Sequence, residues 1–244
     1  MIELSQICKQ FGGQPVLRGV DLKIHRGRTR VILGLSGSGK SVLMKHIIGL
    51  LQPDSGSIKV DGEEITGLTD KALLKVRRKF GMVFQQSALF DSMSVGDNVA
   101  FPLREHTRDS PRAIAEKVEA TLSQVGLAQV SHKFPAELSG GMRKRVGLAR
   151  AIILGPSCVL YDEPTTGLDP LTTDNVDQMI LDAKAQLQVT SVVISHDIGS
   201  AFKVGDDIAF IHEGSIVADG TPEAMRHSPH PFVQRFLRTW FAKQ

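Results

Sequence analysis

An α/β fold with a parallel central sheet is what this sequence predicts, and three observations carry it. Short apolar runs recur at Thr29 to Leu33, Gly81 to Phe84, Cys158 to Tyr161, Ser191 to Ser195 and Ile208 to His212. Helical patterns fall between them, and that alternation builds parallel strands covered by helices on both faces. The glycine-rich stretch Gly34-Leu35-Ser36-Gly37-Ser38-Gly39-Lys40-Ser41 follows the first of those runs and opens a helix beginning near Ser41.

Taken in order, alternating apolar positions at Ile2 and Leu4, and again from Val16 to Ile24, predict an antiparallel strand pair ahead of the first core strand. Gly56 to Gly62 reads as a short strand between turns, and Lys71 to Arg78 as a helix leading into the strand at Gly81. From Ser94 to Leu154 the spacing turns helical. Ile114, Val118, Leu122 and Val125 share one face, with Pro111 at the start and Gly126 at the stop. A mostly α insertion is therefore expected, over about residues 87–155. Leu171 to Leu187 is a further helix. Pro229 to Trp240, with Phe232, Phe236 and Leu237 on one face, predicts a terminal helix inside a tail spanning about 221–244. The whole, residues 1–244, is expected to form one domain.

Composition narrows the function. At 244 residues, 41% hydrophobic and 23% charged, the chain can bury a substantial core, and disorder is excluded. Lys and Arg number 29 against 26 for Asp and Glu, so the charge balance gives no sign of a nucleic-acid partner. Cys8 and Cys158 are far apart, and Cys158 lies in an apolar run where a buried thiol is expected; a reducing compartment fits. The start, Met1-Ile2-Glu3-Leu4-Ser5, has neither the basic stretch nor the apolar segment of a secretory signal, and is expected to begin the mature protein. No apolar stretch approaches the ~18 residues of a membrane span, so membrane work would pass through a partner.

The chemistry begins in residues 34–41. Glycines let the backbone curl so that N–H groups point inward at a phosphate, and the following helix presents its positive end. Lys40 is placed to reach the β- and γ-phosphates of a nucleotide, and the Ser41 hydroxyl to hold Mg²⁺. The spacing is a complete Walker A pattern. Val159-Leu160-Tyr161-Asp162-Glu163 is an apolar strand ending in two carboxylates, a Walker B pattern at the edge where open α/β sheets bind ligands. Asp162 is expected to help hold Mg²⁺, and Glu163 to orient and deprotonate the attacking water.

Between them stands Leu138-Ser139-Gly140-Gly141-Met142, ahead of a helix with Val146, Ala149 and Ile153 on its apolar side. Here the chain resembles the nucleotide-binding subunits of ABC transporters, whose signature is Leu-Ser-Gly-Gly-Gln, over nearly its whole length. Met142 departs from the usual Gln. The resemblance implies an ABC-type P-loop NTPase core with an antiparallel β subdomain and an α-helical subdomain. It also implies ATP and Mg²⁺ as ligands. Gln85 matches the Q-loop glutamine, a further Mg²⁺ and water sensor. Asp169 in Gly167-Leu168-Asp169-Pro170 matches the D-loop, and His196 the switch histidine at the γ-phosphate. Phe11 sits where an aromatic stacks on adenine. The resemblance implies a head-to-tail homodimer in which Leu138 to Met142 of one copy close over the phosphate loop of the other.

Phe84 to Val95 and Asp97 to Thr107 are similar to the ATPase subunits of MCE-associated lipid transporters of the Mla type, a group in which Met at the signature position is also found. That similarity implies phospholipid movement across the envelope, with a multi-span permease and an MCE-domain periplasmic protein as partners. The chain would then lie at the cytoplasmic face of the inner membrane. Leu89, Phe90 and Met93 either face the permease or fill the local core. A soluble ATPase of the iron–sulfur cluster assembly type, or a transporter of another substrate, stays open as an alternative. A DNA-repair or translation protein fits poorly, because there is one phosphate loop and no sustained heptads between Gln85 and Leu138. Arg143-Lys144-Arg145 is accordingly expected to be a solvated helix face.

Overall fold

The computed structural model describes residues 1–241; the last three residues of the expected tail lie outside the described residues. β1 (Ile2–Phe11) and β2 (Gln14–Ile24) form the expected antiparallel hairpin, closed by Gly12 and Gly13 at φ 55° and 80°. Left-handed glycines in a two-residue loop match the twist of the flanking strands. β3 (Thr29–Leu33), buried at every position, leads through the glycine-rich loop into α1 (Lys40–Ile47). Then come β4 (Ser55–Val60), β5 (Glu63–Glu64), α2 (Asp70–Arg77) and β6 (Phe80–Val83).

Helices fill the next stretch: α3 (Val95–His106), α4 (Pro111–Gln124) and, after a 3₁₀ turn at Pro135–Glu137, α5 (Gly140–Ile152). Ser110 caps α4 by accepting from the Ala113 amide, and Pro111 opens it as the sequence predicts. At its far end Gly126, at φ 72°, lets Leu127 donate back to Leu122 at 2.8 Å, so a left-handed glycine ends the helix. β7 (Cys158–Asp162), α6 (Pro170–Leu187), β8 (Thr190–Ser195), α7 (Ile198–Val204), β9 (Asp207–His212), β10 (Ser215–Gly220), α8 (Pro222–Arg226) and α9 (Pro231–Phe241) complete the described chain.

Among the described residues two compact units result, residues 1–77 with 190–241 and residues 78–189. In the first, β2, β1, β4 and β5 form an antiparallel sheet in that order. β3 lies between β8 and β9, parallel to both. β10 departs from the parallel arrangement, pairing antiparallel with β9. The cause is a two-residue turn, Glu213-Gly214, at φ 47° and 80°, which returns the chain at once instead of through a helix. On α9, Phe232 and Leu237 are buried as predicted, and the Phe232 ring stacks on His212 with centroids 3.7 Å apart.

In the second unit β6 and β7 pair in parallel, and α5 packs against β6, α3, α4 and α6. Val118 and Leu122 of α4 are buried, as their spacing requires, and Cys158 is buried as expected.

Candidate nucleotide site

In the first unit, residues 34–41 are shaped by what they cannot accommodate. A Cβ on Gly34 would stand 2.4 Å from the Ile211 carbonyl oxygen, and Gly39 sits at φ 104° with Leu17 Cδ2 2.9 Å from where its Cβ would be. Both positions require glycine. α1 then starts with no side-chain cap and no acidic residue in its first turn, so its positive end is left to a ligand. Lys40 is folded onto its own loop: the ammonium donates to the carbonyls of Gly34 at 2.9 Å and Leu35 at 3.1 Å, and the side chain is buried. The Ser38 hydroxyl is buried without a hydrogen-bond partner among the described residues, whereas Leu35, Ser36, Gly37 and Ser41 are exposed. A buried, unpaired donor beside an uncapped helix start is the chemistry of an anion cradle.

The same unit brings His196 to this loop. Gly34 N–H donates to the Ser195 carbonyl at 3.3 Å, so the residue before His196 is tied to the loop's first glycine. His196 itself is exposed, and the cap of α7 is its neighbour Asp197, which accepts from Ser200 N at 3.2 Å. Phe11 ends β1 with about half its surface exposed, and Lys9 Nζ lies over its ring, 5.6 Å from the centroid.

The second unit collects the acidic and amide groups. The parallel register pairs Val83 with Tyr161, so Gln85 and Asp162-Glu163 emerge at the carboxyl ends of neighbouring strands. Glu163 adopts φ 48°, a left-handed conformation unusual for a side chain of its size, and Thr166 Oγ1 donates to its carboxylate at 2.9 Å. Asp169 caps α6: it accepts from the Leu171 and Thr172 amides at 3.0 Å each and from the Thr172 hydroxyl. Those bonds, the hydroxyl's first, hold its carboxyl below the usual carboxylate range.

Ser139 caps α5 by accepting from Met142 N at 3.3 Å, and Gly140 and Gly141 form the first turn without an acidic residue. Leu138 anchors the motif from the core side; Ser139 and Gly140 are exposed, and Gly141 and Met142 half-exposed.

One expectation fails on this helix. Arg143-Lys144-Arg145 is not a solvated face, because only Arg143 is exposed. Lys144 is 6% exposed and donates to the carbonyl oxygens of Gln85 and Pro164, the latter at 2.9 Å. Arg145 donates to the Val125 carbonyl at 2.9 Å. Carbonyls of turns offer these cations hydrogen bonds inside the unit, which the charge pattern alone does not reveal. Burial pushes the Lys144 ammonium's pKa down. Lys144 and Thr166 both touch the segments that carry site residues; the charge pattern placed Lys144 on a solvated face, and Thr166 was assigned no role. Only Thr166 left a signal, a hydroxyl three residues past the strand-end carboxylates.

The loop, the uncapped helix start and the strand-end carboxylates define the class: a P-loop protein of the mononucleotide-binding α/β type. The chain belongs to the ABC transporter family, whose model matches residues 17–166. It is 44% identical over 236 residues to the probable ribonucleotide transport ATP-binding protein mkl of Mycobacterium tuberculosis, covering 97% of this chain. It spans 66% of that relative's length. To the intermembrane phospholipid transport system ATP-binding protein MlaF of Escherichia coli it is 38% identical over 237 residues, covering 97% of this chain and 88% of that protein. The solved structure of a dimeric bacterial ABC transporter cassette matches with a TM-score of 0.81 at 32% identity, over 91% of this chain and 99% of that one. The structure of cbiO1 from Clostridium perfringens, part of the ABC transporter complex cbiONQ, matches at 0.86 and 28% identity, over 97% and 94%. The fold is therefore the ABC cassette.

Proposed function

We propose that the chain is the ATP-hydrolysing subunit of an ABC transporter, one nucleotide-binding domain acting as a homodimer. The observation that carries this is the cradle at residues 34–41, where an uncapped helix start, a buried Ser38 hydroxyl without a partner among the described residues and a buried Lys40 converge. ATP would be cradled by the loop amides and Lys40, with Phe11 against the adenine and His196 at the γ-phosphate. Leu138 to Met142 of the second copy, with Asp169 at the interface, would close each site. That arrangement accords with the dimeric state of the cassette structure that this chain resembles.

Ser41, Gln85 and Asp162 offer a hydroxyl, an amide and a carboxylate oxygen, a hard donor set suited to Mg²⁺ and not to softer metals. The ion would neutralise charge on the phosphates. Glu163 takes a proton from water, the water oxygen bonds to the γ-phosphorus, and the bond to the β–γ bridging oxygen breaks to leave ADP and phosphate.

The cargo we infer to be phospholipid, moved with a membrane permease and an MCE-domain protein while the chain works at the cytoplasmic face of the inner membrane. The likeness to MlaF and the character of residues 84–107 support this, as does the exposed Phe90 within that stretch. No helix among the described residues is long and apolar enough to cross a membrane. A second reading, a ribonucleotide cargo, is favoured by the name of the mycobacterial relatives. Purification from membranes in detergent, followed by reconstitution of the complex, decides between them. Stimulation of ATP turnover and vesicle-to-vesicle transfer by labelled phospholipid support the first reading; stimulation by ribonucleotide alone replaces it. A soluble scaffold as the sole co-purifying protein would remove transport altogether.

A further inference from the structure

Among the described residues, one buried lysine of the second unit has no carboxylate among its hydrogen-bond partners. Lys144 lies on α5 five residues beyond Ser139, is 6% exposed, and directs its ammonium hydrogens at two main-chain carbonyls. One belongs to Gln85, the other to Pro164, immediately after Glu163. These acceptors are 59 and 20 residues away in sequence, so a single amine joins two loops that the chain itself keeps far apart.

The loops need a tie. Ser87 and Ala88 follow Gln85 at φ 62° and 45°, two successive non-glycine residues in the left-handed region. Glu163 is a third such residue, at φ 48°. Conformations of this kind persist only where surrounding structure holds them. α5 does so along its length, since Arg150 donates to the carbonyls of Ser87 and Ala88 at 2.8 Å each, nearly two turns beyond Lys144. An ammonium suits such a tie, because its three hydrogens can be shared among carbonyls of different segments. Left without acceptors in the same buried place, it would be costly, which fixes the loops to the amine as firmly as the amine to the loops.

We propose that Lys144 is a positioning residue for hydrolysis, binding the Gln85 segment and the Glu163 turn to one helix so that the two groups handling the attacking water keep a fixed separation. This rests on the ATPase reading above. It assigns the lysine no contact with nucleotide, so its loss should lower turnover and leave ATP affinity intact. The same helix begins at Ser139, and a displacement of that end would reach both loops through the Lys144 amine.

The test compares Lys144→Met, an unbranched apolar side chain without donors, with Lys144→Gln, which reaches equally far and carries two N–H donors one bond closer to the backbone than the lysine amine. ATP affinity, kcat, thermal unfolding and hydrogen exchange across residues 84–90 and 163–167 are measured, with the unmodified chain and Glu163→Gln alongside. Lys144→Met is expected to lose ~10-fold or more in kcat, in line with small misplacements at a reacting centre, while ATP affinity stays within about threefold. Exchange should rise in both segments together, and Lys144→Gln should fall between Lys144→Met and the unmodified chain. Unchanged kcat in Lys144→Met overturns the inference alone. So does a parallel loss of affinity and turnover, which marks a packing role. Should Lys144→Met not fold, Lys144→Gln decides: lower kcat at constant KM supports the tie, and unchanged kcat overturns it. No turnover by the unmodified chain overturns the ATPase reading and this inference with it; normal turnover by Glu163→Gln leaves ATP hydrolysis standing but removes Glu163 as the base, and with it this inference.

Discussion

Lys40 donates its ammonium hydrogens to the Gly34 carbonyl at 2.9 Å, and Gly34 is the loop residue with least room for a side chain. Its missing Cβ faces a main-chain oxygen, Ile211 O at 2.4 Å, with Ser38 Oγ at 2.8 Å and Ile211 Cγ2 at 2.9 Å behind it. A flexible side chain could swing aside; a strand carbonyl cannot. Gly34→Ala is therefore expected to destabilise the fold by about 3 kcal/mol, the upper part of the range for overpacking, and to abolish ATP binding by deforming the cradle. Denaturant unfolding and nucleotide titration check it. A variant with the stability and affinity of the original chain would remove the close packing of β9 against this loop.

Asn98 is wholly buried on α3 and serves as a hub for the loop before it. Its Oδ1 accepts from Phe90 N at 2.8 Å, and Nδ2 lies 3.0, 3.2 and 3.0 Å from the carbonyls of Phe90, Met93 and Ser94. Asn98→Ala leaves several main-chain groups without these bonds. The expected loss is about 3 kcal/mol, one or two desolvation penalties, read from urea unfolding. A loss below about 1 kcal/mol would mean that water takes over the amide's role at low cost.

His46 predicts a pH dependence. It is fully buried on α1, and burial lowers its pKa, partly opposed by the Val42 carbonyl 2.7 Å from Nδ1. Lys9 depresses it further, while the Gln52 backbone and Asp54 act the other way. The folded state thus binds the proton less readily than the unfolded chain, whose imidazole titrates near the ordinary ~6.5. Stability is present above that value and declines as pH falls through it toward the folded pKa. The denaturant midpoint of the unmodified chain should drop more between pH ~7.5 and pH ~5.5, on either side of that ordinary value, than that of His46→Gln. Equal drops in the two proteins would place the acid sensitivity elsewhere.

The strands and the site-bearing loops were readable from sequence for a common reason: each is a short buried run ending where the chain must turn. β3, β7 and β8 are buried along nearly all their lengths, so their composition has one use. β10 was invisible because its residues are half-exposed on average and show no alternation, and α7 because seven residues are too few for a helical period to repeat. Lys144 escaped for a different reason. Its neighbours Arg143 and Arg145 made it look like part of a charged face, and the carbonyls that bury it come from distant segments whose approach local spacing does not encode.

Thr166 offers a separate handle on Glu163. Its hydroxyl donates to Glu163 Oε2 at 2.9 Å and its amide to the Glu163 carbonyl at 3.3 Å, closing a turn that Glu163 enters at φ 48°. The hydroxyl is one restraint on which way the carboxylate faces; the amide bond belongs to the turn and survives any side-chain change. Thr166→Val keeps the branched shape and removes the donor, so the turn should hold while the carboxylate gains rotational freedom. Under the proposed role of Glu163, a base that must be oriented toward water, kcat is expected to fall by about tenfold, less than the ~10²–10⁴ of losing the base itself. ATP affinity should be unchanged, since the hydroxyl's bond is to a carboxylate and not to the phosphate loop. Steady-state phosphate release and nucleotide titration separate the two. Thr166→Ser, which restores the donor, should recover most of the rate, and failure of Ser to do so would show that the methyl group and not the hydrogen bond sets the orientation.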